Sequence, residues 1–366
     1  MEGHGEGGSI EKPPLIEPVS GYSDLVSRGY AVMLSALRDC TDCGVELSRR
    51  TLVNNAHITW SEVGLFVLCA VLWTTVRRAL TACLFQPAAR RCLLLPNDAA
   101  KMPESAWKLI FYSVSWSYST YLLFFCQYPF FHDPPSVFYG WTSGMGVPAD
   151  IAVAYLIQGS FYGHSIYATM YMDAWRKDSI VMIVHHVITL ALITFSYAFR
   201  YHSIGILVLF LHDLNDILLE FTKLNVYFKS RGGHYHLVND MLSTVGFISF
   251  GITWFWFRLY WFPLKVLYAS IVTSVQSVPS IPFYFFFNSL LFALLLMNIY
   301  WFLFIVQTVV KVLTGQMTEV NDVREYEEEQ QMSTVQQAGH AGDAGSQILV
   351  KRGKCMRNGI IKEKHT

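Results

Sequence analysis

The stretch IVMIVHHVITLALITFSY, residues 180–197, decides the fold of this chain. It carries no Lys, Arg, Asp or Glu, and apolar or small side chains surround two adjacent histidines, His185 and His186. Its length is close to the about 20 mostly apolar residues that a transmembrane helix needs. Because lipid offers no hydrogen-bond partner to an imidazole, two histidines in such a helix indicate polar partners on neighbouring helices.

The composition of the whole chain favours a membrane protein. Of its 366 residues, 53% are hydrophobic and only 15% are charged, and the mean hydropathy is +0.33. Soluble domains carry about 25% charged residues. The formal net charge of zero gives no reason to expect a nucleic-acid partner. Cys40 and Cys43 have CxxC spacing without a second such pair, so a local disulfide and two free thiols both stay open.

Seven segments are long and apolar enough to cross a membrane. They predict an all-α polytopic membrane protein with about seven transmembrane helices. The further apolar segment 262–282 contains Pro263, Pro279 and Pro282, and we interpret it as a connector that lies along the membrane interface. The seven segments are 60–80, 107–126, 150–172, 180–198, 203–222, 240–260 and 284–311.

The basic residues are distributed unevenly over the loops. They follow the first, third and fifth segments, whereas the loop 127–149 contains no Lys or Arg. Cytosolic loops of membrane proteins carry an excess of Lys and Arg, so the pattern predicts a lumenal N-terminus and a cytosolic C-terminus. The basic residues in question are Arg77, Arg78, Arg90, Arg91, Lys101, Arg176, Lys177, Lys223, Lys229 and Arg231.

The two ends of the chain differ in character. Residues 1–58 predict a lumenal segment without the apolar core of a signal peptide, and the first transmembrane helix follows at 59–81. Residues 316–366 combine an acidic run with Gln-, Gly- and Ala-rich sequence, which is typical of a disordered cytosolic tail. The tail ends with Lys362 and Lys364, which resemble a dilysine signal for retrieval to the endoplasmic reticulum.

Three predicted helices place ionisable side chains at one depth. At about 1.5 Å per residue, the histidine pair lies roughly 9 Å from the cytosolic end of its helix, and Asp216 lies about as deep on the next. Ionisable groups cost about 2.5–3.5 kcal/mol in a bilayer and mark functional sites. The pattern predicts a site just below the cytosolic surface. Its candidates are His185, His186, His212, Asp213, Asp216 and Glu220, with His164 and Tyr167 on the third segment.

Three other interpretations compete with a catalytic site. A single polar residue often holds membrane helices together, and this alternative stays open for His164. Metal centres of membrane hydroxylases use HxxxH and HxxHH spacings, which the chain lacks, so we predict no metal. Seven helices with an outside N-terminus also describe a receptor, but a receptor has no reason to set histidines and carboxylates at matched depth.

The stretch from His185 to Phe228, HHVITLALITFSYAFRYHSIGILVLFLHDLNDILLEFTKLNVYF, resembles the Lag1 motif of ceramide synthases, within the TRAM–Lag1–CLN8 (TLC) domain. The resemblance runs over residues 97–315. Many members carry a homeobox-like domain after the first helix, and the loop 81–106 is too short for one, as in some relatives. Asn215 stands where the motif has Ser or Ala. The resemblance implies six helices around a central cavity plus one N-terminal helix.

The same resemblance implies an enzyme of the endoplasmic-reticulum membrane. It would transfer a fatty acyl group, stearoyl in the relatives most resembled, from acyl-CoA to the amine of sphinganine or sphingosine. Acyl-CoA is then a co-substrate and no cofactor is expected. Dimers with related synthases stay open. The rival is a non-enzymatic membrane protein with the same domain, of the lipid-sensing or translocation-associated kind.

The residues divide into roles by this resemblance. His185 opens the motif and would be the reactive imidazole, as base or as nucleophile. Asp216 matches the motif's second aspartate and would fix the tautomer of His185. His186 and Asp213 complete the predicted catalytic set. Substrate binding is assigned to His164, Tyr167, His212 and Glu220. Two explanations stay open for the basic residues Arg176, Lys177 and Lys229, namely contacts to the phosphates of CoA and their role in setting the membrane topology.

Overall fold

The computed structural model describes residues 21–39, 45–278 and 281–314, and within these ranges the chain is helical without a β-strand. The loops contain short 3-10 turns at Pro129–Phe131, Pro134–Phe138 and Arg231–Gly233. The helices are α1 (Tyr22–Asp39), α2 (Val45–Asn55), α3 (Trp60–Arg91), α4 (Pro96–Phe125), α5 (Ala149–Tyr171), α6 (Ser179–Ala198), α7 (His202–Phe228), α8 (Leu237–Ser277) and α9 (Tyr284–Leu313).

Every predicted transmembrane segment coincides with a helix, which confirms the all-α class. Within the described residues, four helices are long and apolar enough to cross a membrane, namely α3, α6, α8 and α9. The helices α4, α5 and α7 are long as well, but they carry polar side chains that face the protein interior. The count of seven crossings therefore stays a prediction.

The helix starts follow local sequence rules. Thr59 and Glu62 form a reciprocal cap at the start of α3, with the Thr59 amide donating to Glu62 Oε2 at 2.7 Å. Pro96 opens α4, where its missing N–H costs nothing. The turn between α6 and α7 is short and holds Arg200 at a positive φ of 64°. Because this turn is short, α6 and α7 lie next to each other, and both contribute residues to the core.

The connector predicted at 262–282 is wrong. Helix α8 continues through Pro263 as far as Ser277, in two π-helical stretches, Trp254–Leu267 and Ala269–Thr273. Wider π-turns accommodate a proline that would break an ordinary α-helical turn. At about 1.5 Å per residue α8 is roughly 60 Å long, about twice the thickness of a bilayer core. Its second half therefore extends beyond a single perpendicular crossing.

The first transmembrane helix is also longer than predicted. It was expected at 59–81, but α3 passes through a π-helical turn at Thr81–Phe85 and ends at Arg91. The predictions for the tail 316–366 and for Cys40 and Cys43 fall outside the described residues.

The packing order positions the site. Helix α7 lies between α4 and α8, while α5 packs on α6 and on α3. The main core is formed by α5, α6, α7, α8 and α9 together with the loop between α4 and α5. A second cluster joins α3, α4 and α5, where Phe111 and Phe161 stack with ring centroids 3.4 Å apart. The polar side chains of α4, α5 and α7 thus meet in the interior.

Candidate active site

Helix α6 carries both histidines of the pair into the protein interior, where His185 is 9% and His186 is 6% exposed. Their side chains diverge, because adjacent helical residues point about 100° apart. The ring of His185 lies edge-on to Trp301 of α9, with centroids 5.2 Å apart and planes at 89°. On its other side is Tyr162 of α5, 6.4 Å away. His185 is therefore held by ring packing.

The two histidines differ in their hydrogen bonds. Nδ1 of His186 lies 3.4 Å from the hydroxyl of Thr169 on α5. Nδ1 of His185 is buried and has no hydrogen-bond partner among the described residues. An imidazole with an uncommitted nitrogen is the one able to accept a proton or attack a carbonyl. This difference agrees with the choice of His185 as the reactive residue.

Trp301 is itself fixed by a hydrogen bond. Its indole Nε1 donates to Oδ2 of Asp178 at 2.9 Å, and both residues are buried. Asp178 immediately precedes the first residue of α6 and accepts the amide of Met182 through its main-chain carbonyl. The start of α6 and the ring that touches His185 are thus tied together. The sequence analysis missed this pair, although an aspartate beside an apolar span is a signal that could have found it.

Asp213 lies completely buried between α4, α5 and α7. Its Oδ2 accepts hydrogen bonds from the hydroxyl of Ser115 at 2.9 Å and from the amide of Gln158 at 2.5 Å. Its Oδ1 has no hydrogen-bond partner in the part of the chain that the structure describes. The carboxyl group is therefore anchored on one oxygen only. Asn215, two residues further on, is also completely buried.

Asp216 pairs with an arginine rather than with a histidine. Its Oδ1 accepts from Nη2 of Arg258 on α8 at 2.9 Å, and the same nitrogen donates to the carbonyl of His212 at 2.8 Å. The guanidinium lies 4.1 Å from the ring centroid of Trp254. Direct orientation of His185 by Asp216 was expected, and the structure corrects it, because Arg258 occupies the carboxylate instead.

Arg258 is the most important residue that the sequence analysis missed. It stands in the stretch WFWFRLYWF, residues 254–262, at the end of the sixth predicted transmembrane segment. It is 2% exposed in the structure. An arginine inside an apolar segment is a functional candidate by default, since an unpaired charge in a bilayer is expensive. That rule could have found it.

Helix α5 links the two sets of polar residues. Tyr162 touches the rings of both His185 and His186, and Gln158, one turn earlier on the same face, binds Asp213. The histidine pair and Asp213 therefore line a common wall. Tyr162 and Gln158 were not predicted, because neutral polar residues in a span carry no strong sequence signal.

His212 is built into the structure through both ring nitrogens. Its Nδ1 lies 2.8 Å from the carbonyl of Val208, so it must donate there. The Nε2 atom then accepts from the amide of Asn298 on α9 at 3.1 Å. Because both of its ring nitrogens are hydrogen-bonded, His212 links α7 to α9 in this structure.

The remaining predicted substrate-binding residues lie toward α3 and toward the helix ends that are predicted to be cytosolic. His164 is paired through Nδ1 with the hydroxyl of Thr74 at 2.8 Å. The hydroxyl of Tyr167 accepts from Arg78 at 3.1 Å, and Glu220 binds Lys223 at 3.1 Å. The structure does not bring these three against the ring of His185. The alternative left open for His164, a helix–helix contact, agrees with its bond to Thr74.

A layer of ion pairs covers the site on the side where α6 begins. Asp173 pairs with Arg77 and, at 2.9 Å, with Lys108. Lys108 also binds Glu104 at 2.8 Å, and Arg176 binds the same carboxylate at 3.0 Å. Arg176, one of the residues considered for CoA phosphates, is thus a member of this network.

An apolar cavity, partly open to its surroundings, lies on the opposite side of the site. Its lining begins with Thr189, Val208 and Leu294, each one helical turn from His185, His212 and Asn298 respectively. It continues along α6 as far as Ser196 and ends against Tyr201 and Pro282, where the Tyr201 hydroxyl donates to the Pro282 carbonyl at 2.9 Å. The ring of His185 therefore lies one helical turn from the nearest cavity-lining residue of α6, Thr189.

The structure also bears on metal binding. In the described ranges no group of three or more His, Cys, Asp or Glu side chains is arranged to hold a metal ion. The residues of the site are instead committed to ring packing, to neutral donors and to Arg258. That the protein works without a metal stays a prediction.

Comparison with known proteins places the chain among its relatives. Residues 101–307 match the family profile of the TLC domain. The chain is similar to human ceramide synthase 1, at 60% identity over 98% of both chains, and to mouse ceramide synthase 1, at 57% over 95% of this chain and 96% of that protein. Mouse ceramide synthase 4 is 31% identical over 72% of this chain and 67% of its own. The chain therefore belongs to the ceramide synthase family of TLC-domain membrane proteins, on its type 1 branch.

Proposed function

We propose that this protein is an acyl-CoA-dependent ceramide synthase, which transfers a fatty acyl group to the amine of a sphingoid base and releases CoA and (dihydro)ceramide. One observation carries the proposal. His185, a buried histidine whose Nδ1 has no hydrogen-bond partner among the described residues, lies one helical turn from Thr189 in the lining of an apolar cavity. Kinship with ceramide synthases at 60% identity supports the same activity.

The cavity supports a long acyl chain as substrate. From His185 to Ser196 is about 16 Å along α6 at 1.5 Å per residue, and the floor at Tyr201 and Pro282 lies further on. A bilayer core of about 30 Å less about 9 Å of site depth leaves roughly 21 Å, which is near the length of an extended stearoyl chain. Palmitoyl and arachidoyl chains fit this length as well. We propose stearoyl because of the type 1 kinship.

The reaction replaces a thioester with an amide. The ammonium group of the bound sphingoid base first releases one proton to water, the neutral amine nitrogen then attacks the carbonyl carbon, the C–S bond breaks, and the second proton lost by the nitrogen ends on the thiolate of CoA. His185 serves this exchange in one of two ways. It accepts the amine proton as a general base and returns it to the sulfur, or it first attacks the thioester and holds the acyl group until the amine arrives.

The two carboxylates have distinct roles in this proposal. Asp213, anchored through one oxygen, offers the other to the cationic ammonium group of the sphingoid base. Asp216 acts through Arg258, whose guanidinium bridges it to the main chain at His212. The pair stabilises the junction of α7 and α8 beside the site. His186 orients the wall between α5 and α6 through Thr169.

Trp301 and Asp178 are positioning residues in the same proposal. Because Nδ1 of His185 has no hydrogen bond within the described part of the chain, ring contacts alone set the orientation of the imidazole. The indole that makes the main contact is locked by Asp178. Orientation within fractions of an ångström decides the rate of such transfers.

We also propose an endoplasmic-reticulum location with a lumenal N-terminus and a cytosolic C-terminus. The distribution of Lys and Arg over the loops and the terminal Lys362 and Lys364 support it. Acyl-CoA then arrives from the cytosol, on the side of the ion-pair layer around Glu104 and Asp173. The basic residues of this side offer contacts to the CoA phosphates.

The experiment is an N-acylation assay with protein purified into bilayer nanodiscs. Sphinganine is offered with an equimolar mixture of C14 to C24 acyl-CoAs, and ceramides are measured by mass spectrometry. We expect ceramide formation with a maximum at C18 and none with His185→Ala. His202→Ala removes another buried histidine, at the far end of α7, and should retain activity. Lipid binding without any product would favour the non-enzymatic alternative.

A further inference from the structure

Helix α1 divides its surface into three lengthwise sectors. Successive residues lie about 100° apart, so Leu25, Gly29, Val32 and Ala36 share one face, and this face is half-buried or buried. The opposite face holds small, polar and charged residues, which include Ser27, Ala31, Ser35 and Arg38. The third sector is a stripe of exposed large apolar side chains, which we call the α1 stripe: Tyr22, Val26, Tyr30, Met33 and Leu37.

The first face docks α1 on the second half of α8. Gly29 is buried so closely against Ile271 that a Cβ atom at residue 29 would lie 3.5 Å from its side chain. Arg28 donates to the hydroxyl of Tyr268 at 3.1 Å, and the Tyr22 hydroxyl donates to the carbonyl of Leu259. The orientation of α1 is thus fixed, and the α1 stripe lies beside the contact with α8, with Tyr22 at the edge between the two.

The position of α1 along the bundle follows from α8. Lys265, between the two contact points, donates to the carbonyl of Phe131 at 2.7 Å. Phe131 belongs to the loop between α4 and α5, which is predicted to be lumenal. Arg258, about two helical turns before Lys265, lies on the side of the histidine site. Helix α1 therefore lies at the end of the bundle that holds the α4–α5 loop.

The α1 stripe continues an apolar surface that faces outward from α8. Tyr22 packs edge-on against Tyr260 at 6.2 Å, and Tyr260 lies 5.0 Å from Trp256. Trp256 is 45% exposed, and Ile252, one turn earlier on α8, is 64% exposed. Helix α8 is one of the helices apolar enough to cross the membrane. The aromatic chain from Trp256 to Tyr22 connects that surface to α1.

The exposure of the α1 stripe requires a covering. Val26 is 69%, Tyr30 70% and Leu37 61% exposed, in a helix whose opposite face is hydrophilic. A helix with this division lies in the plane of a membrane interface, with its apolar side about 5–10 Å into the boundary of headgroups and acyl chains. Tyr at two positions of the stripe is typical of such interfaces.

We propose that α1 lies at the membrane boundary with its stripe inserted into the lipid of the leaflet on the side of the α4–α5 loop. The occupant of the α1 stripe is lipid, because the stripe joins the outward apolar surface of α8 without a break. The helix also supports the cavity wall. Ser270 and Ser274 of α8 line the cavity from inside, while Gly29 of α1 packs beside Ile271 of the same helix.

The test measures which solvent surrounds each face of α1. The full chain, with its exposed native cysteines replaced, is labelled with a nitroxide at single cysteines and placed in phosphatidylcholine nanodiscs. Labels replace Val26, Tyr30 and Leu37 in the α1 stripe, and Ser27, Ala31 and Ser35 on the opposite face as matched controls. Power-saturation EPR then compares collisions with oxygen, which concentrates in lipid, and with a water-soluble nickel chelate.

We expect the labels of the α1 stripe to collide several-fold more with oxygen than with nickel, and the control labels to show the reverse. Equal nickel accessibility on both faces would overturn the proposal, because the stripe would then face water. Stripe labels shielded from both reagents would also overturn it, because a protein surface would then cover them.

A second measurement tests the energetic side of the same proposal. Val26→Asp and Tyr30→Asp place a charge in the α1 stripe, and Ser27→Asp and Ala31→Asp place it on the opposite face. We expect the stripe variants to lower the melting temperature in nanodiscs by several degrees and the controls to leave it unchanged. Equal melting temperatures for all four variants would contradict insertion into lipid.

Discussion

The two ends of the interior differ sharply, although the same helices build them. Around His185, His212 and Asn298, the helices α6, α7 and α9 present polar groups that are packed or hydrogen-bonded. One turn further, the same helices present Thr189, Val208 and Leu294 to an apolar cavity. A reaction between a charged thioester carrier and a lipid amine needs both environments within a few ångströms. The position of that boundary, rather than any single residue, defines the site.

The polar end itself contains two kinds of carboxylate. Asp213 is held by the neutral donors Ser115 and Gln158, while Asp216 is paired with the cation Arg258. The two are less than a turn apart on α7, so their sequence context does not distinguish them. Only the helices packed against each side do so. In the proposed reaction, Asp213 is therefore the carboxylate that meets a substrate cation, and Asp216 is a structural partner.

The largest expected effect separates the two histidines. We expect His185→Ala to lower kcat by about 10³-fold or more, since an imidazole that transfers protons or acyl groups contributes at least that much. His186→Ala should lose only about 10-fold, because its ring is committed to Thr169. Both are measured by C18 ceramide formation in nanodiscs, with melting temperature as the control for folding. Equal losses of kcat in the two variants would contradict the assignment of His185 as the reactive histidine.

The second prediction concerns the pair of Asp216 and Arg258. Arg258→Met should lower kcat by about 10²-fold and the free energy of unfolding by about 2–3 kcal/mol. This loss is below the roughly 3–5 kcal/mol of a fully buried pair, because Asp216 is 22% exposed.

A double variant and a matched ion pair sharpen this second prediction. Arg258→Met combined with Asp216→Asn should regain stability but not activity, since no charge is then left unpaired. Arg77→Met breaks the pair with Asp173 outside the site and should destabilise the protein with a smaller loss of kcat. Equal activity losses from Arg258→Met and Arg77→Met would show that only folding is affected.

The third prediction tests the positioning of His185 by Trp301. Trp301→Phe keeps an aromatic ring but removes the bond to Asp178, and we expect a fall in kcat of about 10-fold with KM almost unchanged. Asp178→Ala should do the same and add nothing to Trp301→Phe, whereas Asp178→Asn retains an acceptor and should retain most activity.

Trp73 offers a control for that prediction, since its indole donates to the Ser160 hydroxyl at 2.9 Å. Trp73→Phe should leave kcat close to the unmodified value. A rise in KM with unchanged kcat in Trp301→Phe would place the pair in substrate binding instead.

The fourth prediction concerns the apolar end. Ser274→Leu adds bulk inside the cavity, so we expect the preference to shift from C18 toward C16 acyl-CoA. Each methylene excluded is worth about 0.8 kcal/mol, or roughly four-fold in relative rate. Ser277→Leu, at an exposed position of the same helix, is the control. An unchanged product profile in competition assays would show that this part of the cavity does not measure chain length.

The smallest expected effect is that of metal removal. The described residues of the site offer no cluster of metal ligands, so we expect EDTA to leave the rate of ceramide formation unchanged. Loss of activity that a single divalent ion restores would contradict this and would move the chemistry away from the imidazole.

Much of the fold followed from one-dimensional patterns. The apolar segments located the helices α3 to α9, and the histidine pair with the aspartates of α7 located the site. The chain past 262 was misjudged because Pro263 was taken to end the helix. The structure accommodates it in π-helical turns, a local geometry that proline content alone does not reveal.

The sequence by itself determined that this is a polytopic helical protein of the ceramide synthase family, and that His185 lies among the ionisable side chains predicted at one depth. Periodicity and composition fix the helical membrane class because each helix must satisfy its own backbone in lipid, and the resemblance to the Lag1 motif indicates the family. Only the tertiary structure decided that Asp216 belongs to Arg258, that Trp301 holds His185, and where the cavity begins. These depend on which faces of distant helices meet, and the residues concerned are as far apart in sequence as His185 and Trp301.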